Sequence, residues 1–159
     1  MNSFGRESAS AMWHWFFHRN TDLAAQLAGG NVEAYLGHFF ARVRESGAVD
    51  EETFRHYVEA FSDPARLRAS FEDYRAGFSA DLERDEEDHA SGLRVRAPLL
   101  LLWGAGGGLG GRDVVRVWQD QHADPAAVTG HAVPGGHYVP EEAPGEVLDA
   151  VEVFLEQAR

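Results

Sequence analysis

Residues 99–103 read Leu-Leu-Leu-Leu-Trp, and no other stretch restricts the fold of this chain as much. A strand that is apolar at every position has no face to give to water, so it fits inside a parallel sheet covered by helices on both sides. Downstream the chain offers one further strand, in AAVTGHAVPGG, and between the two lies the helical pattern GGRDVVRVWQDQH. Strands joined by such a crossover are parallel if they pair. Two strands alone leave an unpaired edge and uncovered faces. The sequence therefore predicts an α/β protein whose sheet is incomplete within these 159 residues.

Before this region the periodicity is different. From Ala9 to about Asp88 apolar and polar residues mix at helix spacing, which predicts about four helices. AMWHWFFH is strongly aromatic, and NVEAYLGHFFARVRES places Val32, Tyr35, Leu36 and Phe39 on one face behind a candidate cap, Asn31. Asp50 is a candidate cap for the next helix, and Asp63 followed by Pro64 opens the long pattern that runs to Asp88. After Gly92 the strand and helix patterns above take over and end in the amphipathic segment PGEVLDAVEVFLEQA. The expected organisation is a helical domain over 1–92 and an α/β portion over 93–159.

Composition removes several classes of function. The net charge is −12 and every one of the 14 basic side chains is arginine. An acidic surface of this kind repels phosphate backbones, so no nucleic-acid partner is expected. The absence of cysteine removes disulfides, thiolate nucleophiles and thiolate metal sites. Met1 to Ser10 has no apolar signal core, and no apolar run approaches the ~20 residues of a membrane span, so the expectation is a soluble cytoplasmic protein with no membrane partner.

The candidate chemistry is sparse. Gly106, Gly108 and Gly111 satisfy G-x-G-x-x-G between a strand and a helix, but no suitably spaced acidic residue ends a second strand. The run therefore reads as a strand-to-helix loop, and no cofactor is expected. Without lysine there is no P-loop. His14 and His18 lie four apart on a helical pattern, yet with no accompanying glutamate and no third ligand they predict no metal site. No G-x-S-x-G elbow is present, and Asp113 reads as a helix-start carboxylate. What remains is Trp13-His14-Trp15, Tyr74 and His137. His137 follows two glycines past a strand end, where open α/β sheets place their ligands.

MWHWFFH, FSDPARLRASFEDYRAGFSADLERD, LLLLWG and GGHYVPEEAP, in that order and at these spacings, resemble the haloacetate dehalogenases, in particular the fluoroacetate dehalogenase branch of the α/β-hydrolase superfamily. The resemblance runs from about Met12 to the C-terminus. Those enzymes are about twice as long, and their first half carries most of the sheet, the nucleophilic Asp, the arginines that hold the substrate carboxylate and the acid that orients the histidine. It implies that 1–92 is the helical cap and 93–159 the last two strands of the core with their helices. The chain would then be a fragment lacking the nucleophile and inactive alone, with the missing N-terminal half or a second copy as its partner.

The resemblance also implies roles. His14, Trp15 and Tyr74 would surround the departing halide, where donors stabilise charge that develops as the carbon–halogen bond breaks. His137 would activate the water that hydrolyses the ester formed on the nucleophilic Asp. The substrate would be a small 2-haloacid, released as halide and a 2-hydroxy acid. Gly104 to Gly108 stand where epoxide hydrolases carry the histidine-orienting acid, and the dehalogenase branch carries that acid earlier in its chain. Two alternatives stay open. One is an epoxide hydrolase-like enzyme in which Tyr74, with Tyr57 as the other cap candidate, donates to the opening epoxide oxygen. The other is a non-catalytic relic or interaction module that pairs its exposed strand with another chain.

Overall fold

The structure, a computed structural model, describes residues 5–157. It contains two compact units, one formed by residues up to 44 together with 50–85, the other by 45–49 together with residues from 86 onward. The helices of the first region are α1 (Arg6–Ala11), α2 (Trp13–His18), α3 (Thr21–Gly29), α4 (Val32–Glu45), α5 (Glu51–Phe61), α6 (Pro64–Gly77) and α7 (Ala80–Ser91).

The number of helices exceeds the expected four, for local reasons. The aromatic segment is interrupted at Met12, which separates α1 from α2. The long pattern from Asp63 to Asp88 breaks after Gly77, where Phe78 leaves helical geometry and the Ser79 hydroxyl donates to the Arg75 carbonyl at 2.9 Å. TDLAAQLAG forms α3, whose Ala24 and Ala28 are small enough to bring it against α6. The predicted caps are made: Asn31 accepts from the Ala34 amide, Asp50 from Thr53, and Asp63 from Ala65 and Arg66, with Pro64 in the first helical turn.

The core of this unit is formed by Ala24, Ala28, Leu67 and Phe71, each at most 4% exposed, with Phe17, Tyr35 and Phe61 packed around them. Leu36 and Phe40 of α4 and Phe54 of α5 are buried as well, and the Phe40 and Phe54 rings lie 5.8 Å apart.

The second unit holds the two strands. β1 (Leu99–Gly104) pairs in parallel with β2 (Val128–Val133), Leu99 opposite Val128 and Gly104 opposite Val133, and α8 (Val114–Gln121) forms the crossover. Asp113 caps α8 by accepting from the Arg116 amide, the helix-start role expected of it. At the other end of α8 the Arg94 guanidinium donates to the carbonyls of Gln119, Asp120 and Ala123, completing acceptors that a helix C-terminus leaves open. A short turn, Pro125–Ala127, leads into β2, and α9 (Val139–Glu142) and α10 (Pro144–Gln157) complete the unit.

Among the described residues β1 has β2 as its one strand neighbour, and Leu99 to Trp103 are only half-buried. This is the incomplete doubly covered sheet that the Leu-Leu-Leu-Leu-Trp run predicts. No helix of the described residues is long and apolar enough to cross a membrane.

Candidate active site

α2 and α6 build the first part of the site. Neighbouring positions on α2 carry His14 and Trp15, and α6 contributes Tyr74. The three rings are mutually edge-on, with centroids 6.5 Å apart for His14 and Trp15, 6.1 Å for His14 and Tyr74, and 6.4 Å for Trp15 and Tyr74. An imidazole, an indole N–H and a phenol O–H thus share one small region. His14 and Tyr74 are half-buried and Trp15 is 42% exposed, so the cluster has a wet side and a packed side. Burial, with a smaller contribution from the Asp73 carboxylate, pushes the Tyr74 phenol above its ordinary pKa and keeps it a neutral donor.

The packed side is aromatic. Phe39 of α4 lies 5.4 Å from His14 and stacks with Trp13 at 6.1 Å, while Phe78 lies 6.4 Å from Trp15. Beneath His14 and Tyr74 sits His18, 3% exposed, its ring centroid 5.5 Å from His14 and 4.4 Å from Tyr74. Its Nε2 is hydrogen-bonded to the Tyr35 hydroxyl, and its Nδ1 is buried without a partner. Leaving such an atom unpaired costs about 1–3 kcal/mol. Burial first, and then the proximity of His14, lower the His18 pKa from 6.5 to about 4, so this imidazole is neutral at pH 7. The helical spacing of His14 and His18 therefore serves aromatic packing and one hydrogen bond. Among the described residues no group of three or more histidine or acidic side chains is arranged to hold a metal ion.

His137 belongs to the second unit, on the loop between β2 and α9, and is exposed there. Two features hold its backbone. Gly135 has φ +111°, a conformation that side chains resist, and Gly136 is buried. Glu142, at the end of α9, accepts through one carboxylate oxygen from the amides of Gly136 and Tyr138, both at 2.9 Å. The residues on either side of His137 are thus tied to one acceptor.

The glycine run after β1 explains itself at this point. A Cβ on Gly104 would lie 1.9 Å from the Gly136 carbonyl oxygen, and one on Gly107 2.8 Å from the same atom. The Gly106 amide donates to the Gly135 carbonyl at 2.8 Å. These glycines let two backbones touch, and the contact supports the His137 loop.

The structure thus brings His14, Trp15 and Tyr74 together in the helical unit and places His137 in the other. Tyr57 packs on Phe40, 4.9 Å between rings, in the aromatic group that includes Phe54. Sequence reasoning missed Glu142 and the pairing of His18 with Tyr35. Glu142 had a signal, since two glycines before a displayed histidine expose amides that need an acceptor within reach. Tyr35 had none beyond its place on an apolar helix face.

Comparison with known proteins agrees with this architecture. The chain is 28% identical over 155 residues to a fluoroacetate dehalogenase from Burkholderia, covering 95% of this chain and 49% of the relative. It is 31% identical over 163 residues to a soluble epoxide hydrolase from Corynebacterium, covering 99% of this chain and 54% of the relative. Among solved structures, a mutant of a candidate epoxide hydrolase from Pseudomonas aeruginosa with bound MFA superposes with a TM-score of 0.84 at 29% identity, over 99% of this chain and 53% of that one. No protein-family model matches. The chain spans about half the length of the curated relatives it matches.

The fold is a partial α/β hydrolase: helices followed by two parallel strands of the core. The relatives support a place for the chain in the α/β-hydrolase superfamily and include both dehalogenase and epoxide hydrolase.

Proposed function

We propose that the chain carries the leaving-group site and the base of a hydrolytic dehalogenase, with residues 1–92 as its cap and 93–159 as part of its core. The observation that carries this reading is the convergence of the His14, Trp15 and Tyr74 rings, each within 6.5 Å of the other two. Donors from an imidazole, an indole and a phenol, partly desolvated, suit a small anion with no geometry of its own, such as a halide. They act most strongly as negative charge builds on the departing atom.

The reaction balances in two steps. A carboxylate attacks the halogen-bearing carbon of a small 2-haloacid, forming an ester and releasing halide. Water, losing its proton to His137, then attacks the ester carbonyl and restores the carboxylate with release of the 2-hydroxy acid. No residue of this chain is assigned the nucleophile, so the cycle draws it from outside these 159 residues. In a complete enzyme His137→Ala is expected to release one equivalent of halide and then stop with the ester intact.

An epoxide hydrolase is the second reading, favoured by the Corynebacterium relative. It calls for a second tyrosine beside Tyr74, and Tyr57 packs instead with Phe40. The test is a bromide titration of the chain at constant ionic strength, followed through the Trp15 indole N–H resonance assigned with Trp15→Phe. Saturable movement that Tyr74→Phe weakens supports the halide reading. A resonance that does not move refutes it.

A further inference from the structure

We propose that His18, held by Tyr35, is the positioning residue of the His14, Trp15 and Tyr74 cluster. The proposal deepens the halide reading and rests on it only for its binding readout. His18 closes a circuit of rings: it lies against His14, His14 against Phe39, Phe39 against Tyr35, and the Tyr35 hydroxyl returns to His18 Nε2. Tyr74 meets His18 edge-on, with the two ring planes 70° apart. Phe71, 2% exposed, backs both His18 and Tyr35.

An imidazole is a poor choice for filling this space. Its Nδ1 is buried and unpaired, and an aliphatic side chain of similar size would occupy the position without that penalty. What the imidazole adds is a fixed orientation. A leucine has free choice among rotamers against flat neighbours, whereas a ring tied at Nε2 keeps one orientation, its plane 70° from that of Tyr74 and 60° from that of His14. The direction of the Tyr74 ring, and with it the arc open to its hydroxyl, follows from that contact. His18 touches no reacting atom in this scheme.

The experiment uses the 159-residue chain with His18→Leu, His18→Gln and Tyr35→Phe. It reads the NOE contacts of the Tyr74 ring with His14 and Trp15, assigned with His14→Gln and Tyr74→Phe, which report ring orientation and are indifferent to the ring current that the substitution removes, together with the bromide affinity at Trp15 and the melting temperature. The expected result is that His18→Leu stays folded and melts no lower, yet changes those contacts and weakens bromide binding at least about fivefold. His18→Gln, which can still bond Tyr35, should recover part of the loss, and Tyr35→Phe should change the same contacts by less.

Unchanged NOE contacts of the Tyr74 ring with His14 and Trp15 in His18→Leu would overturn the proposal and leave His18 a core residue. If bromide never binds the wild-type chain while His18→Leu still changes those contacts, the halide reading fails and the positioning role stands. Should His18→Leu not fold, the other two variants decide by the same contacts.

Discussion

The two units treat their apolar residues differently. In the helical unit Ala24 and Phe71 are at most 2% exposed, because α3 and α6 face each other within the chain. In the other unit β1 is half-buried from Leu99 to Trp103, and Leu148, Val153 and Leu155 of α10 are each more than half exposed. The first unit completes a core from its own residues, although Leu23 and Leu27 of α3 are more than half exposed. The second has apolar surface to spare, which fits a chain that spans about half of its relatives. A self-contained helical unit can hold its donor cluster in place, while the strand pair leaves apolar side chains half-buried.

The largest test of this contrast is a pair of core truncations. Phe71→Ala should destabilise the helical unit by about 3–5 kcal/mol in chemical denaturation, as expected for a buried aromatic. Leu101→Ala in β1 should cost less than about 2 kcal/mol, since the side chain is already partly in water. Equal losses at the two positions would erase the distinction between the units.

Acid should act next, and on the helical unit. His18 titrates near pH 4 when folded and near 6.5 when unfolded, so between these values the unfolded chain binds more protons. Stability is then fully present above pH 6.5 and is lost as pH falls toward 4, by up to about 3 kcal/mol. Melting of wild type and His18→Leu across this window checks it, and the variant should show the smaller dependence. Parallel pH profiles would mean that His18 is not buried as a neutral ring.

Glu142→Ala probes the second unit. Removing the shared acceptor of Gly136 and Tyr138 should speed amide exchange at those two positions, equivalent to about 1–3 kcal/mol locally, with little change in the helical unit. Unaltered exchange would show that the glycine contacts alone hold the His137 loop.

How far the sequence foretold this structure depended on how local each signal was. The change of period near Gly92, the caps at Asn31, Asp50, Asp63 and Asp113, and the two parallel strands all rest on short-range patterns, and each is present. The break after Gly77 and the helix α3 were missed, because alanine-rich packing of α3 on α6 is a tertiary preference that periodicity does not reveal. The meeting of Trp15 with Tyr74 joins residues nearly sixty positions apart, and only the resemblance put them together beforehand. The glycine run was legible as a loop, but its cause, contact with Gly135 and Gly136, needed coordinates.

If His14, Trp15 and Tyr74 form one halide site, anomalous diffraction from crystals of the chain soaked in bromide will locate the ion. An anomalous peak within hydrogen-bond reach of all three side chains, lost in Tyr74→Phe, is the expected result. Peaks confined to surface arginines, with none beside Trp15, would contradict it.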